Sequence, residues 1–418
     1  MSGRLTTRPR VSERHARRTA RRATRLCEVS DATVGVYVHV PFCERICPYC
    51  DFAVVAARPL GAEVEQRYRA ALLRELQVRR AAFEGSALAS LYLGGGTPSL
   101  LHPESVAELV AAVRGAFAGG GPVEVTLEVN PSTLERERLP GFRAAGVSRL
   151  SVGIQSFDDT VLRRLGRAHR ADEARATLAA CRKTEFDAIS LDLIFAAPDQ
   201  TLASFERDLG EAIGFQPEHV STYELTIEAG TPFAKAAARG RLAQPDEELV
   251  LAMQEVAEAR LRAAGLNRYE ISNYARPGFE AVHNRRYWER RPVLGLGVGA
   301  FSTDPPGPQA PFGVRRANRR ELSAYLRCIE EDRSPEAEPA EQLDAATARG
   351  EAICLGLRAG GVDAARFVRE FGEPPRSFYR AEIEALAGAG LLEEQAGGDL
   401  RLTARGRQLA DHVSMHFV

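Results

Sequence analysis

Short apolar runs alternate along this chain with segments that carry apolar residues at helical spacing. Six such runs are predicted to be buried strands, and each is followed by a helical pattern. The predicted strands are Val34–Val40, Leu88–Leu93, Val123–Val129, Arg149–Ile154, Ala188–Ile194 and His219–Leu225. Alternation of this kind favours an α/β fold with a parallel sheet. Right-handed crossovers would curl such a sheet into a partial barrel, with its functional loops at the carboxyl ends of the strands.

The last third of the chain has a different pattern. After Asp304–Pro311, a stretch rich in proline and glycine, the periodicity becomes mainly helical. Near the end, a predicted helix at Phe378–Ala389 stops at Gly390, and a glycine-rich turn leads into the strand Leu400–Leu402. This order predicts a small winged-helix-like unit. Such units often bind DNA, but acidic side chains here would repel phosphates, so no nucleic-acid partner is expected.

Composition places the chain among globular proteins. Its 418 residues are 44% hydrophobic and 27% charged, and no apolar run is long enough to span a bilayer. Seven cysteines, three of them in one short window, suit a reducing compartment better than a secreted disulfide framework. Since no secretory pattern is visible, a cytoplasmic location is expected.

The first residues form an Arg-rich tail. Residues 1–26 hold nine arginines and a single acid, Glu13. A disordered extension, or a start codon placed too early, is expected. The alternatives are contact with nucleic acid or an anionic membrane and a role as a transit peptide. The chain is then expected to divide into a tail at 1–32, a barrel at 33–303 and a smaller helical domain at 304–418.

Three cysteines directly after the first predicted strand carry the strongest chemical signal. Cys43, Cys47 and Cys50 have the spacing Cys-x3-Cys-x2-Cys. Three thiolates on one loop can hold three corners of a [4Fe-4S] cluster, which leaves the fourth iron open for S-adenosylmethionine. The alternative is zinc with a fourth ligand such as His39, in which case the protein would be a zinc-stabilised structural protein.

Several motifs together resemble a known superfamily. The segment from Tyr37 to Cys43, the cysteine loop and the Gly-Gly-Gly-Thr97-Pro98 turn resemble the radical S-adenosylmethionine (SAM) superfamily. More narrowly, they are similar to the oxygen-independent coproporphyrinogen III oxidases and the HemW-type haem chaperones. The resemblance runs from about Val34 to the end of the chain. It implies a [4Fe-4S] cluster, bound SAM, a partial (β/α)6 barrel and a HemN-like helical domain at the C-terminus.

The resemblance also assigns a cofactor pocket. Its positions follow the predicted strands in order, where a glycine backbone can approach a ligand and a carboxylate can accept from hydroxyl or ammonium groups. The implied SAM-binding residues are Tyr37, Gly95, Gly96, Thr97, Glu128, Gln155, Arg167 and Asp192. Two positions depart from the family pattern, since Ala196 replaces a glycine and Phe301 stands where many relatives have histidine.

Two features separate chaperone from oxidase. The oxidases usually carry a further cysteine just after the third one, whereas this chain continues Cys50-Asp51-Phe52. A later segment fits the His-Asn-x-x-Tyr-Trp motif that is associated with haem binding in the HemW type. The implied haem-binding residues are His283, Asn284, Tyr287 and Trp288. His283 is the candidate axial ligand, with Tyr287 one helical turn away on the same face.

The resemblance favours a haem chaperone that binds haem and transfers it to an acceptor protein. Its expected partners are haem, that acceptor and an electron donor for the cluster. The alternative function is oxidative decarboxylation of coproporphyrinogen III by a radical SAM mechanism. Whether the protein turns over a substrate at all is therefore left open by the sequence.

Overall fold

The computed structural model describes residues 33–119 and 121–418, in which a twelve-stranded sheet organises most of the chain. The predicted tail at 1–32 lies outside the described residues. The strands are β1 Thr33–Val40, β2 Phe42–Cys43, β3 Val55–Ala56, β4 Ala87–Gly95, β5 Glu124–Val129, β6 Arg149–Gln155, β7 Ala188–Phe195, β8 His219–Glu224, β9 Asn267–Arg268, β10 Asn273–Ala275, β11 Val293–Leu296, β12 Phe301–Asp304, β13 Val314–Ala317, β14 Glu341–Gln342, β15 Leu392–Glu394 and β16 Leu400–Leu402.

Helices connect the parallel strands and form the C-terminal region. The α-helices are α1 Ala62–Arg79, α2 Pro103–Ala116, α3 Thr133–Ala144, α4 Asp159–Arg164, α5 Ala171–Lys183, α6 Leu202–Gly214, α7 Pro232–Ala237, α8 Glu247–Ala263, α9 Val282–Trp288, α10 Leu322–Glu330, α11 Ala345–Arg358, α12 Ala364–Phe371, α13 Pro375–Phe378, α14 Arg380–Gly388, α15 Ala404–Gln408 and α16 Ala410–Ser414. Several of these helices start with the expected side-chain cap. Asp246, for example, accepts from the Leu249 backbone at 2.8 Å and begins α8. Among the described residues, no helix combines the length and apolarity that crossing a bilayer would need.

The sheet has the order β14-β13-β12-β11-β1-β4-β5-β6-β7-β8-β10-β9. All six predicted strands are confirmed, and they pair in parallel as neighbours. The sequence did not predict that β11 would join them as a seventh parallel strand beside β1. Antiparallel strands extend both edges. The fold is therefore the predicted partial barrel, with a parallel core and open ends.

Side chains alternate between the two faces of the barrel strands, since successive residues of a strand point to opposite sides. In β1, Val36 and Val38 are fully buried on the helix-facing side. Tyr37 lies between them on the other face, in ring contact with Tyr92 of the neighbouring β4. We call the interior reached by this second face the lumen. Its lining is polar, whereas the apolar core lies outside it, between sheet and helices.

The segment that contains α9 packs against the amino ends of the barrel strands. Glu124 and Arg149, the first residues of β5 and β6, form a buried ion pair at 2.9 Å. The Glu124 carboxylate also accepts from the backbone N–H of Val282 at 2.8 Å, and Arg149 donates to the Phe279 carbonyl at 2.6 Å. These contacts fix α9 at the end of the barrel opposite the cysteine loop.

The C-terminal region has its own hydrophobic core. That core collects buried side chains from Ile353 to Phe417, separate from the large core around the barrel. The predicted order of helix, glycine stop and strand is confirmed, with α14 followed by Gly390 at φ +70° and by β16. The structure adds β15, which pairs antiparallel with β16. The predicted boundary at 303/304 falls inside β12. Strands β13 and β14 still belong to the main sheet, so the second core begins later along the chain.

Candidate cofactor and haem site

The cysteine loop is anchored at the carboxyl end of β1. Short parallel pairing of β2 with β3 aligns Phe42 with Val55 and Cys43 with Ala56, which closes the loop on itself. Within it, the backbone N–H of Cys50 donates to the Cys47 carbonyl at 3.1 Å. Cys47 is buried, and Cys43 and Cys50 are partly buried. The three predicted ligands thus share one tethered loop at the edge of the barrel where the functional loops were expected.

Two side chains donate hydrogen bonds to these sulfurs. Thr97 Oγ1 donates to Cys43 Sγ at 3.8 Å, and Arg167 Nη1 donates to Cys47 Sγ at 3.7 Å. Burial raises the pKa of the Cys43 thiol to about 11 and also raises the pKa of Cys50. Such thiols ionise readily only when a nearby positive charge, such as a metal ion, stabilises the thiolate.

The three cysteines suit the ligand set of a cluster, and His39, the fourth ligand that a zinc site would need, is hydrogen-bonded elsewhere. A cubane distributes its thiolates over different iron atoms, so its ligands do not have to converge on one point. The imidazole of His39 has other partners, with Nδ1 3.1 Å from the Tyr37 hydroxyl and Nε2 3.0 Å from the Ala53 carbonyl oxygen.

The glycine turn after β4 packs directly under the cysteine loop. Gly95 has a φ of +107°, and a Cβ there would lie 2.5 Å from the His39 ring. A Cβ on Gly96 would lie 2.8 Å from the carbonyl oxygens of Val40 and Phe42. These distances are too short for any side chain. Both glycines are therefore required for the contact between turn and loop, a reason that the sequence alone did not reveal.

Glu128 lies inside the lumen next to this turn. Its carboxylate accepts from the Tyr92 hydroxyl at 2.8 Å and from the Gly95 backbone N–H at 3.0 Å. Burial raises the pKa of Glu128 to about 7, the Asp192 charge adds to the rise, and the two hydrogen bonds oppose it. The group can therefore change protonation near neutral pH.

Three other predicted pocket residues have buried polar atoms without a protein partner. These are Gln155 Oε1, Arg167 Nε and Asp192 Oδ1. Gln155 also has a φ of +65°, a strained conformation for a residue with a side chain, and such strain concentrates at functional sites. Asp192 uses its other oxygen to accept from Ser151 at 2.8 Å, and burial raises its pKa. Since buried polar atoms are normally paired, this group suits a polar ligand.

The predicted haem motif lies on α9. His283 is only 1% exposed, and burial lowers its pKa to about 3, so the imidazole is neutral. Its Nδ1 is 2.9 Å from Ser90 Oγ, and its Nε2 is 3.2 Å from the Tyr287 hydroxyl, one helical turn away. Tyr287 is 43% exposed, whereas Asn284 and Trp288 are partly buried on the same helix.

Comparisons with known proteins identify the family of this chain. Residues 37–212 match the family model of the Radical SAM superfamily, and residues 343–409 match that of the HemN C-terminal domain. A relative from Bacillus subtilis (strain 168) named "Heme chaperone HemW" is 32% identical over 388 residues, which cover 91% of this chain and 97% of that protein. The chain belongs to the HemW family. A second HemW relative, from Mycobacterium tuberculosis (strain H37Rv), is 36% identical over 91% of this chain and 93% of its own length.

A solved structure supports the HemW fold assignment. Coproporphyrinogen III oxidase (HemN) from Escherichia coli, described as a radical SAM enzyme, superposes with a TM-score of 0.78. The alignment covers 95% of this chain and 92% of HemN at 23% identity. At that identity the likeness concerns the fold alone. Barrel and helical C-terminal region are thus shared by HemN and this HemW-family chain.

The predicted haem motif and the predicted cofactor pocket share the barrel interior. The His283 ring stacks on Tyr92 at 5.2 Å between centroids and on Tyr37 at 6.2 Å. Tyr92 in turn donates to Glu128. The structure therefore brings most predicted pocket residues together at the carboxyl end of the lumen, and it places His283 below them rather than on the outer surface.

Sequence reasoning missed several residues of this interior. Tyr92, Asn130 and Ser151 contact predicted pocket residues, yet none of them was assigned a role. One signal was available for Tyr92, since strand alternation puts it on the same face as Gly94. Asn130 follows Glu128 by two residues, but its contacts with Thr97 and Arg167 join loops that are distant in sequence.

Proposed function

We propose that this HemW-family protein is a cytoplasmic haem chaperone, which binds haem through the α9 motif and transfers it to an acceptor protein. The relatives' name, heme chaperone, supports the class. The observation that carries the proposal is the ring contact of His283 with Tyr37 and Tyr92. Through it the haem motif adjoins the pocket in which the cofactor would bind. Transient contact with a membrane stays a prediction.

We propose further that Cys43, Cys47 and Cys50 hold a [4Fe-4S] cluster and that SAM binds beside it. When bound, the cluster would supply one electron to SAM, delivered by a donor protein. This chain's own contribution is positioning. Glu128 would accept from hydroxyl or ammonium groups of the ligand, and the unpaired atoms of Gln155, Arg167 and Asp192 offer acceptors and a donor. The remaining proposed pocket residues are Tyr37, Gly95, Gly96 and Thr97.

Haem ligation by His283 requires one local change. A neutral imidazole is the form that binds iron, and burial keeps His283 neutral. Its Nε2 contacts the Tyr287 hydroxyl, so that side chain has to swing away before iron can approach. Tyr287 is exposed enough to move. Ser90 would stay on Nδ1 and orient the ring, as hydrogen-bond partners of metal-bound histidines commonly do.

A haem titration tests the proposal. Anaerobically purified protein should develop a Soret band on addition of haem and should co-migrate with it in gel filtration. His283→Ala should lose most of this binding, whereas Tyr287→Phe should retain it because the ring remains while the hydroxyl contact to Nε2 is removed. Normal haem uptake by His283→Ala would refute ligation by this residue.

The oxidase alternative is separated by a second assay. Coproporphyrinogen III is incubated with the cluster-loaded protein, SAM and a reductant, and the products are resolved by chromatography. The chaperone proposal predicts no decarboxylated product, together with haem transfer to an acceptor apoprotein that can be followed spectroscopically. Formation of protoporphyrinogen IX would replace the chaperone proposal by the oxidase.

A further inference from the structure

Asn130 joins the two side chains that donate to the cysteine sulfurs. Its Nδ2 donates to Thr97 Oγ1 at 2.7 Å, and its Oδ1 accepts from Arg167 Nη2 at 2.5 Å. Thr97 contacts Cys43 Sγ and Arg167 contacts Cys47 Sγ. A single amide therefore closes a polar path from one proposed cluster ligand to another. We call this path the Asn130 bridge.

The donor and acceptor roles along the Asn130 bridge are fixed by chemistry. A guanidinium group can only donate hydrogen bonds, so the Asn130 carbonyl oxygen has to face Arg167. The amide nitrogen then faces Thr97 and can only donate to it. The Thr97 hydroxyl accepts this bond and keeps its single proton for the Cys43 sulfur. Arg167 is held in place as well, because the same Nη2 donates to the Gly153 carbonyl at 3.0 Å.

We propose that Asn130 is a positioning residue that sets the reduction potential of the cluster by aiming Thr97 and Arg167 at the sulfurs of Cys43 and Cys47. The inference rests on the proposed function, since it needs the cluster to bind at these cysteines. Hydrogen bonds to cluster sulfurs stabilise the reduced, more negative state and raise the potential. Loss of a donor lowers it.

An aspartate at position 130 breaks the path with almost no change in shape. A carboxylate cannot donate, so the Thr97 hydroxyl turns its proton towards Asp and away from the Cys43 sulfur. In Asn130→Asp the reduced-to-oxidised ratio of the cluster, measured at the wild-type midpoint potential, should fall about tenfold. For one electron this corresponds to a shift of about 59 mV. Thr97→Val removes the same donor without adding a charge, and its midpoint should fall as well.

The experiment is a redox titration of anaerobically reconstituted protein, followed by electron paramagnetic resonance without SAM. Thr97→Ser keeps the hydroxyl and should retain the wild-type midpoint. Asn267→Asp adds the same charge at an exposed position on β9 and serves as the matched control. A wild-type midpoint in cluster-loaded Thr97→Val overturns the inference, whatever Asn130→Asp shows, since the latter would then act through charge alone.

Three further outcomes are distinguishable. If Asn130→Asp fails to hold a cluster, Asn130→Ser takes its place, because a single short hydroxyl cannot contact both Thr97 and Arg167, and a wild-type midpoint there overturns the inference. If the wild-type protein itself holds no cluster, the proposed function fails and the inference falls with it. A loaded wild type with unshifted variants overturns the inference alone.

Discussion

The raised pKa of Glu128 makes a quantitative prediction about stability. Glu128→Gln removes a buried group whose pKa rises from 4.5 to about 7 on folding. Because the folded-state pKa is the higher one, the contribution of Glu128 to stability is fully present below pH 4.5 and is lost as the pH rises through 7. The wild type should therefore lose stability relative to the variant as the pH increases.

The size of the effect follows from the shift. A rise of that size is equivalent to about 3 kcal/mol, most of which falls between pH 5 and pH 8. Glutamine also loses one of the two hydrogen bonds that Glu128 accepts, from Tyr92 or from the Gly95 backbone. That cost lowers the unfolding free energy of the variant by the same amount at every pH, so it does not change the pH dependence.

Urea unfolding of the cluster-free protein at pH 5 and pH 8 measures this difference. Trp288 is the single tryptophan of the chain and reports unfolding by fluorescence. The difference in unfolding free energy between Glu128→Gln and the wild type should move in favour of the variant by roughly 2–3 kcal/mol from pH 5 to pH 8. Glu104→Gln, at an exposed position of α2, is the control and should follow the wild-type curve. If the difference in unfolding free energy between Glu128→Gln and the wild type is the same at pH 5 and at pH 8, the reasoning is refuted.

Three other variants test separate parts of the structure. Ala196 has a φ of +59°, so Ala196→Gly should stabilise the protein by about 0.5–1 kcal/mol in thermal unfolding, and a loss of stability would contradict the strain. Arg149→Met removes the guanidinium that lies 2.9 Å from the buried Glu124 carboxylate and should cost about 3–5 kcal/mol of unfolding free energy; a cost below about 1 kcal/mol would contradict the assigned burial. Gly153→Ala places a Cβ 3.0 Å from Gln155 Nε2 and 3.4 Å from Arg167 Nη2, so SAM binding measured by calorimetry should weaken about tenfold at unchanged iron content. Wild-type affinity would show that this part of the lumen is not the SAM pocket.

The sequence predicted the barrel well because strand burial leaves a local pattern. In β1, apolar residues alternate with Gly35, Tyr37 and His39, and the next helix repeats apolar residues at Tyr68, Leu72 and Leu76. Strand β11 was missed because it spans only Val293–Leu296 and pairs with the far end of the chain. The local sequence does not indicate that β11 pairs with a strand as distant along the chain as β1.

Polar contacts inside the protein were harder to predict. Glu75 lies on α1 and is only 1% exposed. Its buried carboxylate is tolerated because it accepts hydrogen bonds from the Gly297 backbone, Asn318 and Tyr325. A helical pattern would assign such a glutamate to the solvent. The cysteine ligands and the glycine turn were recognisable from adjacent residues. By contrast, the contact of Ser90 with His283 joins positions 193 residues apart and appears only in three dimensions.

The central claim is that three thiols on one loop hold a cluster with an open iron. Iron and acid-labile sulfide are measured after anaerobic reconstitution, and electron paramagnetic resonance of the reduced protein is recorded before and after addition of SAM. We expect about four irons and four sulfides per chain and a spectrum that changes with SAM. Cys47→Ser should lose the iron, the sulfide and the spectrum, whereas Cys181→Ser should keep all three. Equal iron in the wild type and in Cys47→Ser, or a spectrum indifferent to SAM, would contradict the account.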